Sequence, residues 1–195
     1  MNSKTIAVIA VFAALTIVLT IFSPIRIPAP YAPFLKYQIW EIPIVVAFLL
    51  FGPLVGVAIT IINTIVLLVV YPGDLPTGPF YNLAAVLSML FGMYIALKLV
   101  KDSTRQSEAL RPVSSTALGI VLRVGVMTVV NWSLLRYPYP IGYSLPEVAL
   151  LAMLPLIGLF NLTIALYTVP LSHFLARVVS AGTKIKEWGQ TDKKT

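Results

Sequence analysis

Long apolar runs alternate with short breaks rich in proline, glycine or charge. Residues 5–22 form the first run. The next stretch, 23–41, holds Pro24, Pro28, Pro30 and Pro33. Each proline blocks regular helix and biases its predecessor toward extended geometry. Apolar character then resumes over 42–71, interrupted by Gly52-Pro53. A Gly-Pro pair in mid-lipid leaves backbone groups unsatisfied unless it sits at an end or is packed in protein. The pattern therefore predicts two helices here, over 42–51 and 54–70. Residues 71–79 are dense in breakers and take the chain out of the apolar phase. A fourth run, 80–97, ends in the polar segment 98–111, and a fifth, 114–135, is closed by Tyr137-Pro138-Tyr139-Pro140. The last run, 146–179, is too long for one straight span. Pro155 and Gly158 predict its division into a short outer helix and a final span over 156–178.

Composition turns these runs into membrane spans. Of 195 residues, 58% are hydrophobic and 11% charged, against about 25% charged in an ordinary soluble domain. Six spans of ~20 residues would use roughly 120, leaving no soluble portion large enough to fold alone. The expected fold class is all-α: a polytopic six-helix transmembrane bundle over residues 1–182, with a polar tail over 183–195. Lys4 followed by residues 6–22 resembles a signal peptide, but Pro24-Ile25-Arg26 stands where a small-residue cleavage site would be, so a retained first helix is expected. No internal repeat is visible, which weighs against inverted-repeat transporter folds. Lys4, Lys98, Lys101, Arg105, Arg111, Arg177, Lys184, Lys186, Lys193 and Lys194 fall on one side of this topology; Arg26, Lys36 and Arg136 fall on the other. By the positive-inside rule both termini are cytoplasmic. The net charge of +7 is then a topology signal and needs no nucleic-acid partner.

Several chemistries are poorly served. Cysteine is absent, so no disulfide, thiolate nucleophile or cysteine metal site can form. Glu41, Asp74, Asp102, Glu108, Glu147, Glu187 and Asp192 all fall in loops, at span ends or in the tail. A carrier driven by protons or sodium usually needs a carboxylate within its spans. There is no phosphate-binding loop for ATP and no HExxH. With no nucleophile–base or metal constellation, no enzyme is expected. His173, the lone histidine, reads as an interfacial residue near the cytoplasmic end. Arg123, about nine residues into the fifth span, either snorkels to the cytoplasmic side or has an interface or gating role.

Amides are the intramembrane polar groups that remain. Asn82, Asn131 and Asn161 fall at similar depth on three spans in the outer half, and Asn63 lies halfway along a fourth. An amide in hydrocarbon is costly unless partnered, so these should point inward. They serve either as interhelical glue or as a shared pocket. Tyr81 and Trp132 put rings beside two of them, and Tyr37 belongs to the same aromatic-rich level. Such a pocket suits a flat, neutral, amide-bearing ligand. In the first span, Ala7, Ala10, Ala13 and Ala14 form a small-residue face. That face admits close approach of a helix, from inside the bundle or from a partner.

These residues carry a resemblance. Pro33-Phe34-Leu35-Lys36, Glu41-Ile42-Pro43 and Gly52-Pro53-Leu54-Val55-Gly56-Val57 are similar, in order and spacing, to stretches of the substrate-binding S components of energy-coupling factor vitamin transporters. So are Gly78-Pro79-Phe80-Tyr81-Asn82-Leu83, Met127 to Asn131-Trp132, and Phe160-Asn161-Leu162. The likeness is strongest to the riboflavin-specific members and covers nearly the whole chain. It implies a six-helix bundle in the cell membrane, with riboflavin as cargo and no cofactor, held under the loop between the first two helices. It also implies docking of the Ala7, Ala10 and Ala14 face on a membrane T subunit that carries two ATP-binding subunits. Asn82, Asn131, Asn161, Tyr81 and Trp132 would then hold the vitamin. Ile164 and Ala165 stand where the riboflavin members have lysine and glycine, and Thr60 and Asn63 replace charged positions. The missing polar contact falls to Lys36, Arg26 or Asn63, or the ligand is another flat vitamin or precursor, thiamine-, pyridoxine- or pyrimidine-like. A self-sufficient channel or exporter would need a polar path through the cytoplasmic halves, which are apolar.

Overall fold

The computed structural model describes residues 2–22, 27–70, 75–100, 105–183 and 185–188. Arg26, Asp74, Lys101, Asp102 and most of the polar tail lie outside the described residues. The elements run α1 (Ser3–Ile21), β1 (Ile27–Ala29), β2 (Ala32–Tyr37), α2 (Glu41–Phe51), α3 (Pro53–Val70), α4 (Gly78–Leu99), α5 (Arg105–Leu134) and α6 (Glu147–Thr183). Among the described residues, five of the six helices are long and apolar enough to cross a membrane. The exception is α2, whose eleven residues rise only about 16 Å against a hydrocarbon core of about 30 Å.

The shortness of α2 follows from where it sits. Every residue from Glu41 to Leu50 is buried. An apolar helix too short to cross the bilayer needs protein around its ends, and α2 packs against α1, α3, α4 and α6. Its ends need not reach water, because neighbouring helices satisfy what lipid cannot. The chain leaves α2 at Gly52, whose φ of 95° suits a residue without Cβ, and α3 starts at the next residue, Pro53. A second glycine sets a helix crossing: a Cβ on Gly92 would stand 2.3 Å from the Leu118 carbonyl oxygen, so α4 and α5 meet backbone to backbone.

Two expectations need correction. The proline-rich connection is an antiparallel hairpin, pairing Ile27 with Tyr37 and Pro28 with Lys36, with an irregularity between Pro28 and Ala29. The fold is therefore mostly helical and not all-α; the prolines that exclude helix also preset the extended φ a strand accepts. Residues 147–183 form one continuous helix with Pro155 and Pro170 inside it. Neither Pro155 nor Gly158 divides it, since ending a helix in an apolar setting strands several backbone groups, whereas an internal proline strands one or two.

The bundle has two distinct ends. The hairpin, the end of α5 and the start of α6 share one. At the other, residues 185–188 fold back after α6. The Trp188 N–H donates to the Leu49 carbonyl (2.8 Å), and its own carbonyl accepts from Arg111 Nη2 (3.1 Å). Its ring stacks on Tyr94 at 5.9 Å and covers Gly52, where an added Cβ would lie 2.8 Å from Trp188 Cδ1.

Candidate ligand site beneath the hairpin

Apolar contacts close the hairpin end. Ala29 packs with Phe160 and Ile164 of α6, and Leu35 joins that group to a second one built on Leu135, Leu150 and Ile157. One hairpin residue thus links two stretches of α6, the second flanked by Leu135, just after α5, and Tyr81 of α4. Tyr37 lies against Phe160, ring centroids 4.9 Å apart, and shares a hydroxyl hydrogen bond of 2.5 Å with Tyr31. Burial and this bond push the Tyr31 phenol up to about 12. The root of the hairpin is held by polar contact instead: the Tyr167 hydroxyl donates to the Gln38 carbonyl at 2.5 Å.

Below the hairpin root lies a buried charged pair. Arg123 of α5 donates through Nη1 to Glu41 Oε2 (2.5 Å) and through Nη2 to Oε1 (2.9 Å), and both side chains are almost fully buried. Its Nε donates to Asn161 Oδ1 at 3.0 Å, and Nη1 also faces the Met89 sulfur at 3.6 Å. Two charges removed from water are tolerable only with good geometry and further hydrogen bonds. The bidentate fork and the added amide supply both. Arg123 therefore neither snorkels nor stands at the surface, and Glu41 is a carboxylate inside the bundle. Sequence position misplaced Glu41 because a helix start normally marks the membrane surface, whereas α2 starts recessed beneath the hairpin. An arginine in mid-span with no solvent route was the available signal.

The amides are not all brought together. Asn161 joins the charged pair and donates through Nδ2 to the Ile157 carbonyl at 2.9 Å. Asn131 is 7% exposed and donates to the Met127 carbonyl at 2.7 Å. Each lies one helical turn from a member of the Leu135–Leu150–Ile157 contact. But Gly158 lies against Val124 and Asn161 meets Arg123, eight residues before Asn131 on α5, so the two amides stand at different depths, about 12 Å apart along the helix. Tyr81 packs at the rim of that contact and its hydroxyl donates to the Ile141 carbonyl at 2.9 Å. Lys36 is exposed on the hairpin.

The remaining candidates lie elsewhere. Asn82 is exposed. Trp132 is 44% exposed with the Arg136 guanidinium 4.3 Å above its ring, an outward arrangement. Asn63 accepts from the Thr20 hydroxyl at 3.4 Å and so joins α3 to α1. His173 is buried, which corrects its expected interfacial position. Ile164 and Ala165 are buried too, and Ile164 fills space under the hairpin where the resemblance would put a lysine. Ala7, Ala10 and Ala14 lie on the exposed side of α1, and Ala13 faces the core. A separate groove of about 220 Å³ runs past Phe48, Pro53, Val57, Leu87, Phe91 and Tyr94. Its lining is apolar apart from the Tyr94 hydroxyl, with no amide or charged side chain.

The family model described as "ECF transporter, substrate-specific component" matches residues 4–179. The chain belongs to this family. It is thus a substrate-binding component of a transporter and not an enzyme, and its apolar helices make it a multi-pass cell-membrane protein. The S component is 25% identical over 149 residues to the riboflavin transporter RibU of Staphylococcus aureus (strain TCH60), covering 76% of this chain and 74% of that one. Its fold matches a solved S component of a bacterial ECF transporter with a TM-score of 0.74 at 21% identity, over 94% of this chain and 99% of the other.

Proposed function

We propose that this S component captures riboflavin beneath the hairpin and delivers it in complex with a membrane T subunit and two ATP-binding subunits. The observation that carries the ligand is the likeness to a riboflavin transporter across three quarters of both chains. The geometry supports it: buried Asn131 and Asn161 stand at two depths under an apolar, tyrosine-bearing lid, with Tyr81 and Tyr37 at its edge. Glu41 neutralises Arg123, so the floor of the site carries no net charge and suits an uncharged ring system. The vitamin is cargo, and no resident cofactor is part of this reading.

Orientation follows from charge. Lys4, Lys98, Arg111, Arg177 and Lys186 lie toward the Trp188 end, whereas Lys36 and Arg136 lie toward the hairpin end. The positive-inside rule then puts both termini in the cytoplasm and the hairpin outside. The exposed Ala7, Ala10 and Ala14 face is the proposed seat of the T subunit.

Titrating the purified protein with riboflavin should quench its tryptophan fluorescence to saturation, and Asn131→Leu should weaken that response at least tenfold in a folded protein. Absence of quenching, with a response to thiamine or pyridoxine instead, would transfer the site to another vitamin; buried Ile164 in place of the lysine favours testing those two first. Ala10→Leu with Ala14→Leu should leave binding intact and abolish uptake in cells that supply the partner subunits.

A further inference from the structure

The chemistry of Arg123 restricts what Asn161 can do. A guanidinium has donors only, so the Asn161 atom 3.0 Å from Nε is the amide oxygen. A backbone carbonyl only accepts, so the atom 2.9 Å from Ile157 O is the amide nitrogen. The two contacts grip opposite ends of one planar group and forbid its rotation. The amide nitrogen keeps a second hydrogen beyond the Ile157 bond. Arg123 is itself immobilised, because Glu41 takes both of its terminal nitrogens. Glu41 is the first residue of α2, three residues after Gln38, whose carbonyl is fixed by Tyr167. The orientation of the amide and the root of the lid are therefore set by one cluster.

We propose that Arg123, clamped by Glu41, is a positioning residue for ligand recognition: it holds Asn161 as a hydrogen-bond donor, matched to an acceptor such as a ring carbonyl or ring nitrogen of the ligand. This rests on the hairpin end being the ligand site. Arg123 itself is covered by Glu41, Asn161 and Met89 and acts through the amide.

Arg123→Lys separates positioning from packing. An ammonium keeps the charge opposite Glu41 but cannot also bond Asn161 along the Nε direction. Its thermal midpoint in detergent should stay close to that of the wild type, while riboflavin affinity falls about tenfold or more, the effect of one lost hydrogen bond to a charged group. In a double-mutant cycle, Asn161→Ala should cost little further affinity in the Arg123→Lys background. Affinity like the wild type's in Arg123→Lys, or fully additive losses, would overturn the proposal.

Exchanging the charges, Glu41→Arg with Arg123→Glu, gives a second test. The pair is restored, but the group now facing Asn161 only accepts, which turns the amide around. Stability should recover relative to either single variant, and affinity should not. Recovery of both would make the pair a structural element alone and overturn positioning. One measurement needs no ligand: the side-chain amide signal of Asn161, followed by NMR in micelles, should shift between wild type and Arg123→Lys, and an unchanged signal refutes the contact. A wild type that ignores riboflavin would sink the vitamin assignment while leaving this last comparison decisive for Arg123.

Discussion

The two ends of the bundle are closed by opposite means. At the hairpin end, apolar side chains form the lid, and beneath it lie charge and amide: Glu41, Arg123 and Asn161. At the other end the cover is the chain's own return, with Trp188 clasped by two backbone hydrogen bonds and seated on Gly52 and Tyr94. Apolar contact has no directional bonds to break, and its loss scales with the area exposed, so it can open by degrees and re-form. Bonds to backbone carbonyls are directional, and an unmade one leaves a buried polar group unsatisfied. The cover over the hairpin end is thus held mainly by apolar contact, and its root and the Trp188 end by hydrogen bonds.

The largest test of this contrast is Glu41→Ala. Leaving Arg123 buried without its counter-charge should cost about 3–5 kcal/mol, read as a drop in unfolding midpoint in detergent; a loss under ~1 kcal/mol would mean that water reaches the pair and the polar floor is open. Next comes Gly52→Ala. The φ of 95° and the 2.8 Å approach to Trp188 should together cost about 1–3 kcal/mol. Adding Trp188→Ala should remove the steric share, so additive losses would show that the ring does not rest on Gly52. Tyr167→Phe should cost about 1–2 kcal/mol by stranding the Gln38 carbonyl. Hydrogen exchange should rise in the hairpin and not around Trp188; a uniform rise would erase the distinction between the ends. Trp132→Phe, on an exposed ring, should change stability by no more than about 0.5 kcal/mol and leave riboflavin affinity unaltered. A several-fold change would bring that ring back to the ligand.

Much of the helix pattern was legible because lipid makes its demands locally. A span must be apolar over its whole length and satisfy its own backbone, so α1, α3, α4 and the apolar part of α5 could be read from runs of residue type. The start of α5 at Arg105, within the polar segment and ahead of Pro112, could not. The break at Gly52-Pro53 was legible for the same reason. The hairpin was half legible: prolines excluded helix, but strand pairing depends on partners ten residues apart and on Phe160 and Ile164 beneath. Continuity through Pro155 was not legible, since the penalty for one missing donor is weighed against packing on α5 and α2. Among candidate site residues, the cost of an amide in lipid foretold the burial of Asn131 and Asn161, but depth estimates put the two at one level, whereas Asn161 stands beside Arg123. They could not say which side of α4 bears Asn82 or which side of α5 bears Trp132.

By itself, the amino-acid sequence determined that this is a polytopic membrane protein with charge concentrated away from its spans, and its motifs pointed to the substrate-specific component family. Those properties follow from residue type and order along a single chain. Tertiary structure alone decided that Glu41 and Arg123, 82 positions apart, form one neutral unit with Asn161. It also decided that α2 starts beneath a lid and that Trp188 closes the opposite end. A buried charge is acceptable only where another group meets it at hydrogen-bonding distance, and that distance exists only once the helices are packed.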